Sequence, residues 1–188
     1  MCLPRELWRT QISLVNPSVR DKIHSYLSRL PEMMDRGYGV FLYGTSGVGK
    51  SAIGALMAKE ARSYQYTALF ISVWDLREHT RNKVLWDEEM YLADRCRQVD
   101  LLVLDGLTLD DREEHIVGGK FIEHLLRVRN GNRLPTVITS SMTRAQLISW
   151  SGLQQQILAG AAVLEVTGTN FYEAQYTQRQ QEVFGKTG

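Results

Sequence analysis

Val40-Phe41-Leu42-Tyr43-Gly44-Thr45-Ser46-Gly47-Val48-Gly49-Lys50-Ser51 is the stretch on which the fold turns. Its first four residues are strand formers in a run short enough for a buried strand. The next eight match the spacing G-x-x-x-x-G-K-[ST] at Gly44, Gly49, Lys50 and Ser51. Glycines let a main chain turn tightly enough for its N–H groups to point inward at phosphate oxygens. A helix starting near Lys50 offers the positive end of its dipole to the same anion. The spacing therefore predicts a phosphate cradle over Gly44, Thr45, Ser46, Gly47, Val48, Gly49, Lys50 and Ser51. In it, Lys50 reaches the β- and γ-phosphates of ATP and the Ser51 hydroxyl ligates Mg²⁺.

Outward from this loop, strands and helices alternate. Ala52 to Ala61 is rich in helix formers. Thr67 to Val73 reads as a strand and Asp87 to Val99 as a helix. Asp100 to Asp105 is a third strand, Phe121 to Val128 a helix, and Thr136 to Ser140 a fourth strand. Thr143 to Ile148 reads as a short helix and Ala162 to Val166 as a fifth strand. Asn170 caps a last polar helix ending near Phe184. Before the loop, Asn16-Pro17-Ser18 starts a helix, with Ile23, Tyr26, Leu27 and Leu30 at helical spacing and Gly37 and Gly39 breaking it. Such alternation predicts an α/β three-layer sandwich: a parallel five-stranded sheet, covered on both faces, with ligands at the carboxyl ends of its strands. The division expected is a short helical segment over 1–36 and a core over 37–188.

Asp105 follows the apolar run Leu101 to Leu104 and is the expected metal-side carboxylate. The next residue, often acidic in ATPases that polarise an attacking water, is Gly106, which has no side chain to act as a base. Asp110, Asp111, Glu113 and Glu114 follow closely. Either one of them swings in, or all belong to a solvated loop before a helix. Strong ATP binding with slow hydrolysis is the expectation.

Composition sets limits. The chain has 188 residues, 44% of them hydrophobic, enough for one domain with a real core. With 22 basic and 21 acidic side chains, the net charge of +1 excludes a general polyanion binder. Cys2 and Cys96 form neither a disulfide framework nor a metal cluster. His24, His79, His115 and His124 have no metal-ligand spacing. No apolar stretch has the ~18 residues that span a bilayer, and no secretory leader is visible. Cytosolic residence is the natural reading.

With these residues in place, the chain resembles the AAA+ ATPases of the DnaC-type helicase loaders and the related IstB-type transposition helper ATPases. The resemblance runs from about Asn16 to Glu173. It is carried by Gly44 to Ser51, Leu101 to Asp105, and Arg133-Leu134-Pro135-Thr136-Val137-Ile138-Thr139-Ser140-Ser141. It implies a γ-phosphate sensor at Ser141, where many relatives have Asn and serine has the shorter reach. It implies a role in DNA replication with a replicative helicase as partner, a homo-oligomer, and single-stranded DNA contact near Arg77, Arg81 and Lys83. Trp74 and Trp86 flank that cluster, either stacking on bases or packing inward, and Glu78 weakens it. Departures are equally clear. Gly106 replaces an acid, and Gly152-Leu153-Gln154-Gln155-Gln156-Ile157 lacks the arginine that reaches a neighbour's nucleotide. Arg127, Arg129 and Arg133 either supply it or merely favour a helix C-terminus. Only ~40 residues precede the loop, too few for a typical independent helicase-binding core. Trp8, Ile12 and Leu14 either dock on a partner or pack on the chain's own sheet. The helical lid of larger relatives is expected to be absent or reduced.

Three functions fit: a loader-type weak ATPase, a non-hydrolysing nucleotide-gated regulator, and a small-molecule kinase. The scarcity of Arg and Lys between Gly152 and Gly168 argues against the kinase.

Overall fold

The computed structural model describes residues 4–81, 86–108 and 119–168, with 170, 171, 176, 180 and 182–185 beyond them. Five strands form one sheet: β1 (Gly39–Tyr43), β2 (Ala68–Ser72), β3 (Leu101–Leu107), β4 (Thr136–Ser140) and β5 (Ala161–Glu165). Their order is β2-β3-β4-β1-β5, and every pairing is parallel. The helices are α1 (Arg20–Ser28), α2 (Leu30–Arg36), α3 (Lys50–Ser63), α4 (Val73–Arg81), α5 (Trp86–Gln98), α6 (Gly119–Gly131), α7 (Arg144–Ser149) and α8 (Ser151–Gly160).

Side chains alternate across the strands, and the alternation builds two cores. Val40, Leu42, Leu101 and Val103 meet α1, α2 and α3 on one face. Phe41, Leu102, Leu104 and Ile138 meet Leu76 of α4, Cys96 of α5, Ile122 of α6, Leu147 of α7 and Leu153 of α8 on the other. Each large apolar side chain buried this way contributes about 1.5–3 kcal/mol. The expected three-layer α/β sandwich is the observed one.

Several local expectations are corrected. The helix read from Asn16 is two helices. Asn16 instead makes a turn, its side chain accepting from the Ser18 N–H at 3.0 Å. The break comes at Arg29, because Pro31 lies in the first turn of α2 and cannot continue α1. α4 follows β2 with no linker, so Val73 opens a helix rather than closing a strand. Gly152 to Ile157 is helical, with Leu153 and Ile157 buried. The polar helix expected after Asn170 falls largely outside the described residues, as do Asp110, Asp111, Glu113, Glu114 and His115.

The N-terminal segment is tied down. The Lys59 ammonium donates to the Trp8 and Thr10 carbonyls at 3.0 and 2.7 Å. Leu7 and Ile12 pack against the first core, whereas Trp8 is 59% exposed. The Leu14 side chain is outside the described set.

Candidate nucleotide site

Sheet register brings the chemistry together. β1 and β4 align Tyr43 with Ser140, and β3 and β4 align Leu107 with Ser140. The loop leaving β1 and the carboxyl end of β3 therefore open at the same level. α3 starts at Lys50, with Gly49 as its N-cap at φ +94°. Its 14 residues give a full dipole aimed at the loop.

Lys50 is buried, and its ammonium donates to the carbonyls of Gly44 at 2.8 Å and Thr45 at 2.6 Å. Burial pushes it below the usual lysine range, while the Asp105 carboxylate pushes it back up. The loop lysine and the β3 aspartate thus share one electrostatic site. Thr45 and Ser46 are exposed. Val48 is wholly buried and anchors the loop in the core, so only its main chain is available to a ligand.

At the end of β3, the half-buried Asp105 accepts a hydrogen bond from the Thr139 hydroxyl at 2.6 Å. The same hydroxyl accepts from the Gly106 N–H at 2.9 Å. Ser141, the expected sensor, is exposed just past β4. Its neighbour Ser140 is buried, donating to the Leu107 carbonyl at 2.7 Å and accepting from the Met142 N–H at 3.0 Å. Ser140 therefore braces the end of β4, and Ser141 is the serine free to meet a ligand from solvent.

A strap from beyond β5 lies on the loop. The Val166 N–H donates to the Tyr43 carbonyl at 2.8 Å, and the Phe171 N–H donates to the Gly47 carbonyl at 2.9 Å. Gly47 has φ +81°, and a methyl group on it would fall inside the Asn170 side chain. The Phe171 ring lies against Gly49. On its other side the strap meets the N-terminal segment, where Thr167 N–H donates to Ser18 Oγ at 3.3 Å. Sequence reasoning read Asn170 as a helix cap and missed this contact, because nothing local links residues 47 and 170. It also missed Thr139, which reads as an ordinary strand former.

Other named residues fall elsewhere. Trp74 is 64% exposed on α4, with the Arg77 guanidinium 5.8 Å from its ring centroid. That is within cation–π range and excludes the inward-packed reading of Trp74. The side chains of Arg81, Lys83 and Trp86 are outside the described set. Arg129 is fully buried. It donates to Thr136 Oγ1 and to the carbonyls of Cys96, Val99, Asp100 and Pro135. It cannot reach a neighbouring subunit, whereas Arg127 and Arg133 are exposed. His24, His79 and His124 are exposed, and none lies on the loop.

The donors fit a nucleotide bound with Mg²⁺. An aspartate charge acts on Lys50 beside the loop, and a hydroxyl residue occupies the first turn of α3 at Ser51.

No family model and no curated protein sequence matches the chain. Among solved structures, it is similar to DnaI, with 23% identity over 90% of this chain and 94% of that one, at a TM-score of 0.74. It is similar to the DnaC helicase loader, with 21% identity over 87% and 100%, at 0.72. It is also similar to the replication initiator DnaA bound to AMPPCP and single-stranded DNA, with 14% identity over 96% and 57%, at 0.66. The chain thus spans little more than half of that DnaA structure. At these identities the likeness is one of fold, and the shared fold is the parallel five-stranded α/β sandwich that the sequence predicted.

Proposed function

We propose that the chain is an ATP-binding AAA+ protein of the helicase-loader type, acting in DNA replication as a nucleotide-controlled partner of a replicative helicase. The observation that carries this is the convergence of the Gly44–Ser51 loop and Asp105 on one buried lysine. Lys50 holds the β- and γ-phosphates, Ser51 and Asp105 hold Mg²⁺, and Ser141 senses the γ-phosphate. The metal, when bound, neutralises charge on the phosphates. The fold shared with DnaI and the DnaC helicase loader supports the partner class. Exposed Trp74, with the Arg77 guanidinium beside its ring, supports single-stranded DNA contact at α4, joined by Arg81 and Lys83. A homo-oligomer would multiply that small patch. No described helix is long and apolar enough to cross a membrane.

A second reading, a regulator that binds ATP without turning it over, is favoured by Gly106. Its φ of +81° is a conformation that side-chain-bearing residues rarely adopt. The acid missing there is missing from a backbone position that disfavours one. ATP turnover with and without single-stranded DNA, against Lys50→Ala, separates the readings. DNA-stimulated turnover that the substitution abolishes supports the loader. Lys50-dependent binding with no turnover supports the regulator. Absence of ATP binding by the unaltered chain sinks both.

A further inference from the structure

The end of β3 is not a regular strand. Leu104 pairs with Ile138 and Leu107 with Ser140. Two residues of β3, Asp105 and Gly106, therefore face a single residue of β4, Thr139. This is a β-bulge, a device that re-aims a side chain beside a site. Thr139 is 1% exposed and closes the bulge from inside.

Its hydroxyl has one proton and a fixed assignment. The Gly106 main chain can only donate, so Thr139 Oγ1 accepts there, at 2.9 Å. The hydroxyl proton must then go to Asp105 Oδ1, at 2.6 Å. That bond fixes the plane of the Asp105 carboxylate and engages its Oδ1. Among the described residues nothing bonds to Oδ2, which is the oxygen left to bind a cation.

We propose that Thr139 is the positioning residue for the metal side of the site: through the bulge at Asp105–Gly106 it holds the Asp105 carboxylate in the orientation that binds Mg²⁺ with the nucleotide. This rests on the nucleotide–metal reading above. Partners that orient a metal-binding carboxylate are typically worth about 10–100-fold in metal affinity.

The test is equilibrium binding of a fluorescent ATP analogue to the full chain, in Mg²⁺ and in EDTA. The readout is the ratio of the two affinities. The unaltered chain should bind more tightly in Mg²⁺. Thr139→Val, equal in shape but without the hydroxyl, should shrink that ratio about tenfold or more and leave the EDTA affinity unchanged. Thr139→Ser should restore the ratio, which a purely space-filling role would not require. A wild-type ratio in Thr139→Val overturns the proposal. If Thr139→Val does not fold by circular dichroism, Thr139→Ala replaces it. Loss of fold in both, with Thr139→Ser folded, assigns the hydroxyl to folding and also overturns it. A ratio of one in the unaltered chain sinks the metal reading itself.

Discussion

β3 and β4 carry a buried polar network at each end, and the two differ in how complete they are. At the amino end, Arg129 directs its guanidinium at Thr136 and at four carbonyls from α5, the turn after it and the start of β4. All its bonds go to neutral partners, and burial pushes it down to about 10. At the carboxyl end, Thr139 of the same strand engages Asp105 through one oxygen among the described residues. Lys50 donates there to the Gly44 and Thr45 carbonyls, with the Asp105 charge acting on it. The amino-end network is closed and has nothing to offer a ligand. The carboxyl-end network has capacity left over. One strand thus supplies a threonine to a fastener at residue 136 and to a ligand site at residue 139.

The largest expected effect tests the closed end. Arg129→Ala removes the donors of several buried carbonyls at once and should cost more than about 3 kcal/mol of stability in chemical denaturation. Arg129→Lys should recover only part, since an ammonium lacks the planar fork. A loss below about 1 kcal/mol, the worth of a single hydrogen bond, would show that the network is not a fastener. The open end should respond differently, losing ligand before stability. Gly47→Ala forces a side chain into a left-handed conformation at about 1–2 kcal/mol and onto Asn170, so nucleotide affinity should fall about tenfold. Adding Asn170→Gly should return the portion due to the clash. Recovery of nothing would mean that the strap does not shape the loop.

The smallest effect sharpens the picture of the closed end. Cys96 is fully buried near Arg129, and burial pushes its thiol up to about 11. At pH 8 it should alkylate far more slowly in the folded protein than in denaturant, as mass mapping of the modified peptide would show. Its folded value lies above the unfolded value of about 9. Its contribution to stability is therefore complete below pH ~9 and declines as pH rises toward ~11.

The strands that position the site were legible because each is a short apolar run with clear punctuation. Thr136 to Ser140 is observed with the bounds the sequence suggested. α4 was hidden because Val73 and Trp74 are strand formers and, among the described side chains, Leu76 alone joins Val73 on its buried face. α8 was hidden because Leu153 and Ile157 stand among glutamines and between glycines, a weak amphipathic signal. At the site, Gly44 to Ser51 and Asp105 were readable from spacing, since phosphate and metal chemistry dictate it. Thr139 was not, because its role depends on a bulge in the facing strand. Asn170 and Phe171 were not, because their partners are more than a hundred residues away in sequence.

The sheet order has a consequence for how the protein is made. β1, which delivers the phosphate loop, is the first of these five strands in chain order, yet its two neighbours are β4 and β5. During translation β2 and β3 can pair while β1 waits with both edges bare. A nascent chain arrested before Thr136 therefore carries the whole phosphate loop without the sheet that fixes it. Nucleotide cannot serve as an early folding template; it can reward only a chain whose last strands have emerged. Because such late, non-local pairing is slow and leaves strand edges exposed, the interval between β1 and β5 is when this protein is most in need of a chaperone.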